Sequence, residues 1–386
     1  MKALILFAPG KIAGAEKVVA SGYNGLVKYG KNSYDLCIIE EKKCPQFAFE
    51  FISLIENRNQ LTKLNSQAPI DLNLIRELNK IVEGHQIIYT HGFKALFYAM
   101  CVKYIFLIFR KPQLGLKIIH THHGNTGHTI KVKFYEKLAL LLMRKCSKVI
   151  ALSQRMKKDL EKEKISSIEV VNNMNSLDKR KEITAQTDTQ IGTQTATEKT
   201  KKKKEILYLG RLSSEKNPET LIKAFRSKQL KDYKLHIVGT GPLETQLKES
   251  YESENILFHG HQQDVQSFIE RVQFLCLPSL TEGMPMTVIE SLCLGTPIMA
   301  NNVGAIEEML TQQNSIIIDI PRHSKNEVDF IALEEKWCLA LETLEKEARV
   351  QSYVENARQE REMQLRKYSI ERWVTQVESI LNNEML

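Results

Sequence analysis

Short apolar runs alternate with amphipathic helical stretches along almost the whole chain. In the first half the runs fall at 3–7, 36–39, 86–89, 117–120, 148–152 and 168–171. In the second they fall at 206–209, 234–238, 256–258, 274–277, 297–300 and 315–318. Strands that recur between helical patterns predict a parallel sheet covered on both faces by helices. Each half therefore reads as a doubly wound α/β domain. From Asn326 onward the pattern is helical, and its last piece sets Trp373, Val377, Ile380 and Leu381 on one face.

A different composition separates the halves. Residues 183–198 are rich in Thr and Gln, and Lys199 and the lysine run 201–204 follow them. This stretch has little to bury and reads as a solvated linker or insertion. The expected organisation is a first domain over 1–178, a linker over 179–204 and a second domain over 205–365. A terminal helix over 366–386 is expected to return to the first domain. A length of 386 residues suits two domains of ordinary size.

Charge divides along the same line. Residues 1–180 hold 29 Lys and Arg against 15 Asp and Glu, residues 181–204 hold 6 against 3, and residues 205–386 hold 19 against 28. Within 101–150 there are ten basic side chains and one acidic, Glu136. The apolar stretch 95–109 is broken by Lys103 and closed by Arg110 and Lys111, so it falls short of the roughly 20 residues of a spanning helix. It reads as a buried or half-buried helix, with docking on an anionic membrane surface as the alternative. No nucleic-acid-binding motif accompanies the basic half. The seven cysteines are scattered and never form Cys-x-x-Cys, which points to reduced thiols and a cytoplasmic location. The apolar start of the chain is too short for a secretory signal and reads as a first strand.

The most informative stretch follows the run at 274–277. There Glu282-Gly283-Met284-Pro285 leads into a helical pattern that carries Glu290. Pro285 suits the first helical turn, where its missing N–H is harmless. Glu290 then lies about 8 Å further along the axis, at 1.5 Å per residue. That separation is too long for two carboxylates sharing a proton and suits a clamp on two parts of one polar ligand. Backbone N–H groups between them favour an anion such as phosphate. Hydroxyls at both ends and phosphate in the middle describe a nucleotide sugar.

Two further strand ends add chemistry. Gly210-Arg211-Leu212 precedes Lys216, so two cations five residues apart sit before a helix, where they suit a diphosphate or a surface ion pair. Gly239-Thr240-Gly241 ends the next strand, where glycines let a ligand approach the carboxyl edge of the sheet or simply form a tight turn. The histidines at 120, 122, 123 and 128 lie close together, but no carboxylate or cysteine accompanies them. No metal is expected.

Taken together, these motifs resemble the retaining GT-B glycosyltransferases of family 4. Glu215-Lys216-Asn217, Phe258-His259-Gly260 leading to Asp264, Gly295-Thr296-Pro297 and Val303-Gly304-Ala305 extend the resemblance. It implies two Rossmann-like domains facing across a cleft, with the donor on the second and the acceptor on the first. By resemblance, Arg211 and Lys216 hold the donor diphosphate, Glu290 the ribose and Glu282 the sugar. The segment Gly239, Gly241, Gly283, Met284 and Pro285 would complete the donor site. Gly14, in the loop after the first strand, would close on the donor, and His123 would lie at the sugar. The group expected to be catalytic is Glu282, His123, Arg211 and Lys216, with no cofactor beyond the donor substrate.

Two positions depart from the family pattern. Gly283-Met284-Pro285 stands where many members have Gly-Phe-Gly, and Asn172-Asn173-Met174-Asn175 stands where Asn-Gly-x-Asp is usual. The expected activity is transfer of a hexose or N-acetylhexosamine to a lipid-linked or polysaccharide acceptor in cell-envelope glycan synthesis, peripheral to the cytoplasmic membrane. The rival readings are a non-catalytic binding partner of an envelope-assembly complex and a GT-B sugar-nucleotide epimerase or phosphorylase.

Overall fold

The computed structural model describes residues 1–68, 70–104, 115–124, 130–177, 204–228, 230–324 and 327–384, with backbone alone for 130–133. The linker expected at 179–204, apart from Lys204, lies outside the described residues, as do Ile105–Phe109 of the apolar stretch and His128. The chain divides into two compact units. The first comprises Met1–Met174, Glu282–Pro285 and Lys367–Leu386, and the second Asn175–Thr281 and Met286–Arg366.

In the first unit the described elements run β1 (Lys2–Phe7), α1 (Gly14–Tyr29), β2 (Ser33–Glu41), α2 (Pro45–Ser53), β3 (Leu61–Ser66), α3 (Leu72–Val82), β4 (Ile87–His91), α4 (Phe93–Tyr104), β5 (Lys117–His122), α5 (Ile130–Met143), β6 (Lys148–Ala151), α6 (Gln154–Lys162) and β7 (Ile168–Val170). All pairings are parallel, in the order β3-β2-β1-β4-β5-β6-β7. The strand β3 has no counterpart among the apolar runs of the sequence, because as an edge strand it exposes Thr62, Lys63 and Asn65. Helix starts follow capping chemistry: Asp71 accepts from Asn73 N and Leu74 N at 3.0 and 3.2 Å, and Ser153 from Met156 N at 3.1 Å.

The second unit continues with β8 (Glu205–Leu209), α7 (Pro218–Ser227), β9 (Lys234–Val238), α8 (Glu244–Tyr251), β10 (Ile256–Gly260), α9 (Val265–Arg271), β11 (Phe274–Leu277), α10 (Met286–Cys293), β12 (Ile298–Asn301), α11 (Ile306–Met309), β13 (Ser315–Ile318), α12 (Phe330–Leu341) and α13 (Glu347–Lys367). Its strands are again parallel, ordered β10-β9-β8-β11-β12-β13. In both sheets the strand order reverses beside the first strand, at β1/β4 and at β8/β11. Open α/β sheets bind ligands outside the carboxyl ends of the strands at that point.

Each unit has its own core. Leu4, Leu6, Ile88 and Ile118 pack with Leu78, Leu96 and Ala99 in the first, and Ile206, Leu235 and Phe274 with Leu221, Phe225 and Trp337 in the second. The last helix, α14 (Ile370–Asn383), lies on α1 within the first unit. A Cβ at Gly22 would come within 2.7 Å of the Trp373 ring, so glycine there admits the indole. Glu378 accepts from Lys31 N, Asn32 N and Tyr34 Oη at 2.7, 3.2 and 2.6 Å, which ties α14 to the α1–β2 turn.

Candidate active site

The expected site residues fall into two groups, one in each unit. In the second unit, the loop after β8 carries Arg211 and Lys216. Tyr208 Oη, at the strand end, donates to the Arg211 carbonyl at 2.7 Å, which fixes the backbone and leaves the guanidinium exposed. Lys216 N and Asn217 N both donate to the Ser213 carbonyl, at 3.1 Å each. The loop closes on Asn217, in the left-handed region at φ 50°, just before Pro218 opens α7. Asparagine tolerates that conformation better than most side chains.

Gly239 and Gly241 pack against this same loop. Leu212 N donates to the Thr240 carbonyl at 3.1 Å. A Cβ at Gly239, whose φ is +134°, would lie 1.9 Å from the Gly210 oxygen, and one at Gly241 would lie 2.2 Å from the Leu212 oxygen. What demands glycine at these positions is therefore contact between two backbones of the protein.

Glu290 sits on α10, where it is buried and accepts from Ser176 Oγ at 3.1 Å. Sequence reasoning did not single out Ser176. Pro285 immediately precedes Met286, the first residue of α10, and so stands just outside the first helical turn in which it was expected. The approach to that helix is held by a buried network with no motif of its own. Asn301 Nδ2 donates to the Pro278 and Ser279 carbonyls at 2.8 and 3.1 Å, Asn217 Nδ2 reaches the Pro278 carbonyl at 3.3 Å, and Trp337 Nε1 donates to Asn301 Oδ1 at 2.9 Å. Unpaired carbonyls buried there would cost free energy, so the loop after β11 has one well-paired course.

In the first unit, Gly14 is the first residue of α1. The preceding loop is folded around Glu16, whose carboxylate accepts from Gly10 N and Ala13 N at 3.1 Å each. Burial nevertheless raises the Glu16 carboxyl above its ordinary pKa, outweighing those bonds. His123 follows β5, and its Nε2 lies 3.1 Å from His91 Nδ1 at the end of β4. His91 is buried between Tyr89 and Phe7, with ring centroids at 4.5 and 6.5 Å. Sequence reasoning missed His91, which lies at the point where the strand order reverses. His120 is buried on β5 itself and pairs through Nδ1 with Thr90 Oγ1 at 2.9 Å. Burial pushes His123 and His122 down to about 4. Among the described residues, no group of three or more His, Cys, Asp or Glu is arranged to hold a metal.

The turn Glu282–Pro285 belongs to this first unit and comes up against His123. A Cβ at Gly283 would lie 2.4 Å from the His123 carbonyl oxygen, and one at Gly124, at φ +101°, would lie 3.1 Å from Gly283 Cα. Two glycines thus let the turn and the end of β5 touch. Met284 is buried, so the turn offers backbone and the Glu282 side chain, and not the thioether, to its exterior.

The chain matches the family described as Glycosyl transferases group 1 over residues 193–357 and the family described as Glycosyltransferase Family 4 over residues 12–178. The chain is a family 4 glycosyltransferase. The transferase is 27% identical to an uncharacterised glycosyltransferase of Haemophilus influenzae over 306 residues, covering 76% of this chain and 78% of that one. It is 34% identical to the Escherichia coli O-antigen biosynthesis glycosyltransferase WbnH over 115 residues, 30% of this chain and 33% of that protein. That match spans about a third of the relative. Anabaena Alr3699/HepE, solved in complex with UDP-glucose, superposes on this transferase with a TM-score of 0.73 at 16% identity, covering 99% of this chain and 100% of that one. At that identity the likeness is one of fold, and the fold is GT-B.

Proposed function

We propose that this glycosyltransferase moves a hexose or N-acetylhexosamine from a nucleotide diphosphate sugar to a lipid-linked or polysaccharide acceptor, retaining the anomeric configuration. The observation that carries the reading is the exposed Arg211 guanidinium on a loop whose backbone is pinned by Tyr208, with Lys216 five residues on, outside the carboxyl end of β8. Two cations held at a strand-order reversal suit a diphosphate. Glu290, oriented by Ser176, suits ribose hydroxyls. The solved complex of HepE with UDP-glucose supports this class of donor, and the O-antigen role in the printed name of WbnH supports a cell-envelope glycan.

In this reading the bond from the anomeric carbon to the phosphate oxygen breaks while a bond to the acceptor oxygen forms on the same face. The acceptor proton passes to the departing diphosphate, so no side chain serves as an obligatory base. Arg211 and Lys216 meet the charge that grows on the leaving group. His123, held neutral by burial, offers a hydrogen bond to the sugar without adding positive charge beside an anomeric carbon that is itself becoming positive.

The first unit supplies a surface for a lipid-linked acceptor. Helix α5 exposes Phe134, Tyr135 and Leu141, and Lys137, Arg144, Lys145 and Lys148 lie along and just beyond it. Apolar side chains among cations favour an anionic lipid face. Among the described residues no helix is long and apolar enough to cross a membrane. A screen of nucleotide sugars by thermal stabilisation tests the donor reading, since a ligand that binds the folded state raises its melting temperature. At least one uridine, guanosine, thymidine, cytidine or adenosine diphosphate sugar should stabilise the protein, and no stabilisation by any of them at millimolar concentration would contradict it.

A further inference from the structure

The two departures from the family pattern touch each other. Asn173, at the position where the family has glycine, donates its backbone N–H to Met284 Sδ at 3.3 Å and its side-chain Nδ2–H to the Met284 carbonyl at 3.1 Å. Both residues are buried and both belong to the first unit. Met284 is the central residue of Gly283-Met284-Pro285, so one residue grips both the side chain and the backbone of that turn. Asn173 is not in the left-handed region, so its backbone conformation does not call for glycine. A glycine there would keep the N–H but lose the bond to the carbonyl. A side chain without a sulfur at 284 would keep the carbonyl but lose the acceptor for the N–H. Both bonds form only when both departures are present.

We propose that Asn173 is a positioning residue that latches the Gly283-Met284-Pro285 turn through Met284. The latch compensates for the absence of the aromatic residue that the family pattern places in the turn, and it fixes the backbone that Gly283 presses against His123. Its effect on the donor sugar rests on the function proposed above, whereas the latch itself does not. Pro285 holds the far end of the turn through its fixed φ and the start of α10, and Asn173 supplies the restraint at its centre.

Hydrogen exchange and kinetics on Asn173→Ala and Asn173→Gly test this in the full-length protein. In the absence of any ligand, peptides covering 279–290 should exchange about 5- to 10-fold faster in both variants, the effect of losing one buried hydrogen bond. Alanine separates the lost bond from glycine's added freedom. With a donor found by the nucleotide-sugar screen, the donor KM should rise about 5- to 10-fold while the acceptor KM stays at the wild-type value, and the ratio of kcat/KM between two donor sugars should change. A merely structural asparagine would leave the donor KM and the ratio between donor sugars unchanged in a variant with the wild-type melting temperature. Wild-type exchange at 279–290 in folded Asn173→Ala overturns the latch. Faster exchange with no nucleotide sugar bound by the wild-type protein supports the latch and removes the donor reading instead.

Discussion

His91 Nδ1 lies 3.1 Å from His123 Nε2, with the rings tilted by 31° and their centroids 5.4 Å apart. Burial lowers both imidazoles, so the pair is neutral near pH 7 and one nitrogen donates while the other accepts. The tautomer of His123 is thereby tied to that of His91. Replacing His91 by Phe keeps a ring between Tyr89 and Phe7 but removes the bond. We expect kcat/KM to fall about 2- to 10-fold, the effect of one hydrogen bond, with the fold intact. Nitrogen-15 NMR of the His123 ring should show two tautomers in the variant where the wild type shows one.

The same burial predicts a pH dependence of stability. His122 and His123 are pushed down to about 4, and His91, His120 and His259 are lowered by burial as well. In the unfolded chain these groups titrate near about 6.5. Between those values the unfolded state binds protons that the folded state does not, so stability increases with pH across this window. The urea midpoint should be level from pH 8 to 7 and fall as the pH drops from 6.5 towards 4. A midpoint that rises on acidification over that range would show the histidines to be charged in the folded protein.

Glu378 joins the last helix to the α1–β2 turn. Its Oε1 accepts from two backbone N–H groups, from Asn32 Nδ2 at 3.1 Å and from Tyr34 Oη. Replacement by Ala removes the acceptor shared by the part-buried Lys31 and Asn32 N–H groups and the buried Tyr34 hydroxyl and should cost about 1–3 kcal/mol in urea unfolding. Glu378→Gln keeps one acceptor oxygen and should lose less. Equal stability of Glu378→Ala and wild type would mean that α14 contributes little to the first unit.

Gly239→Ala tests the account of the glycine-rich strand end. A Cβ 1.9 Å from a carbonyl oxygen, at φ +134°, requires both the β8 and β9 loops to move. The expected loss is about 3 kcal/mol or more, read as a lower melting temperature before any substrate is added. If the glycine served only the approach of a ligand, the variant would melt like the wild type.

Much of this arrangement was legible in the sequence, because a strand buried on both faces must be apolar at every position. The runs 3–7, 206–209 and 274–277 could scarcely be anything else. β3 was hidden because an edge strand can expose polar side chains on one face. Of the candidate site, the loop after β8 with Arg211 and Lys216 and the helix start before Glu290 stand out through glycine, charge and proline. Residues that act through long-range contacts did not. Asn301 and Trp337 hold the loop after β11 from positions 36 apart in the chain, and nothing local marks either one. His91 lies two residues beyond the apolar run 86–89, and nothing in the local sequence marks it. Asn173 and Met284 read as two separate irregularities, 111 residues apart, and only their contact joins them.

The central claim is that Arg211 and Lys216 hold the diphosphate of a nucleotide sugar, and its most direct test is calorimetric titration of that donor into the wild type and the double variant Arg211→Ala, Lys216→Ala. Losing two charge-assisted contacts should weaken binding about 100-fold or more, with the melting temperature of the unliganded protein unchanged. Wild-type donor affinity in the double variant, with turnover intact, would contradict it.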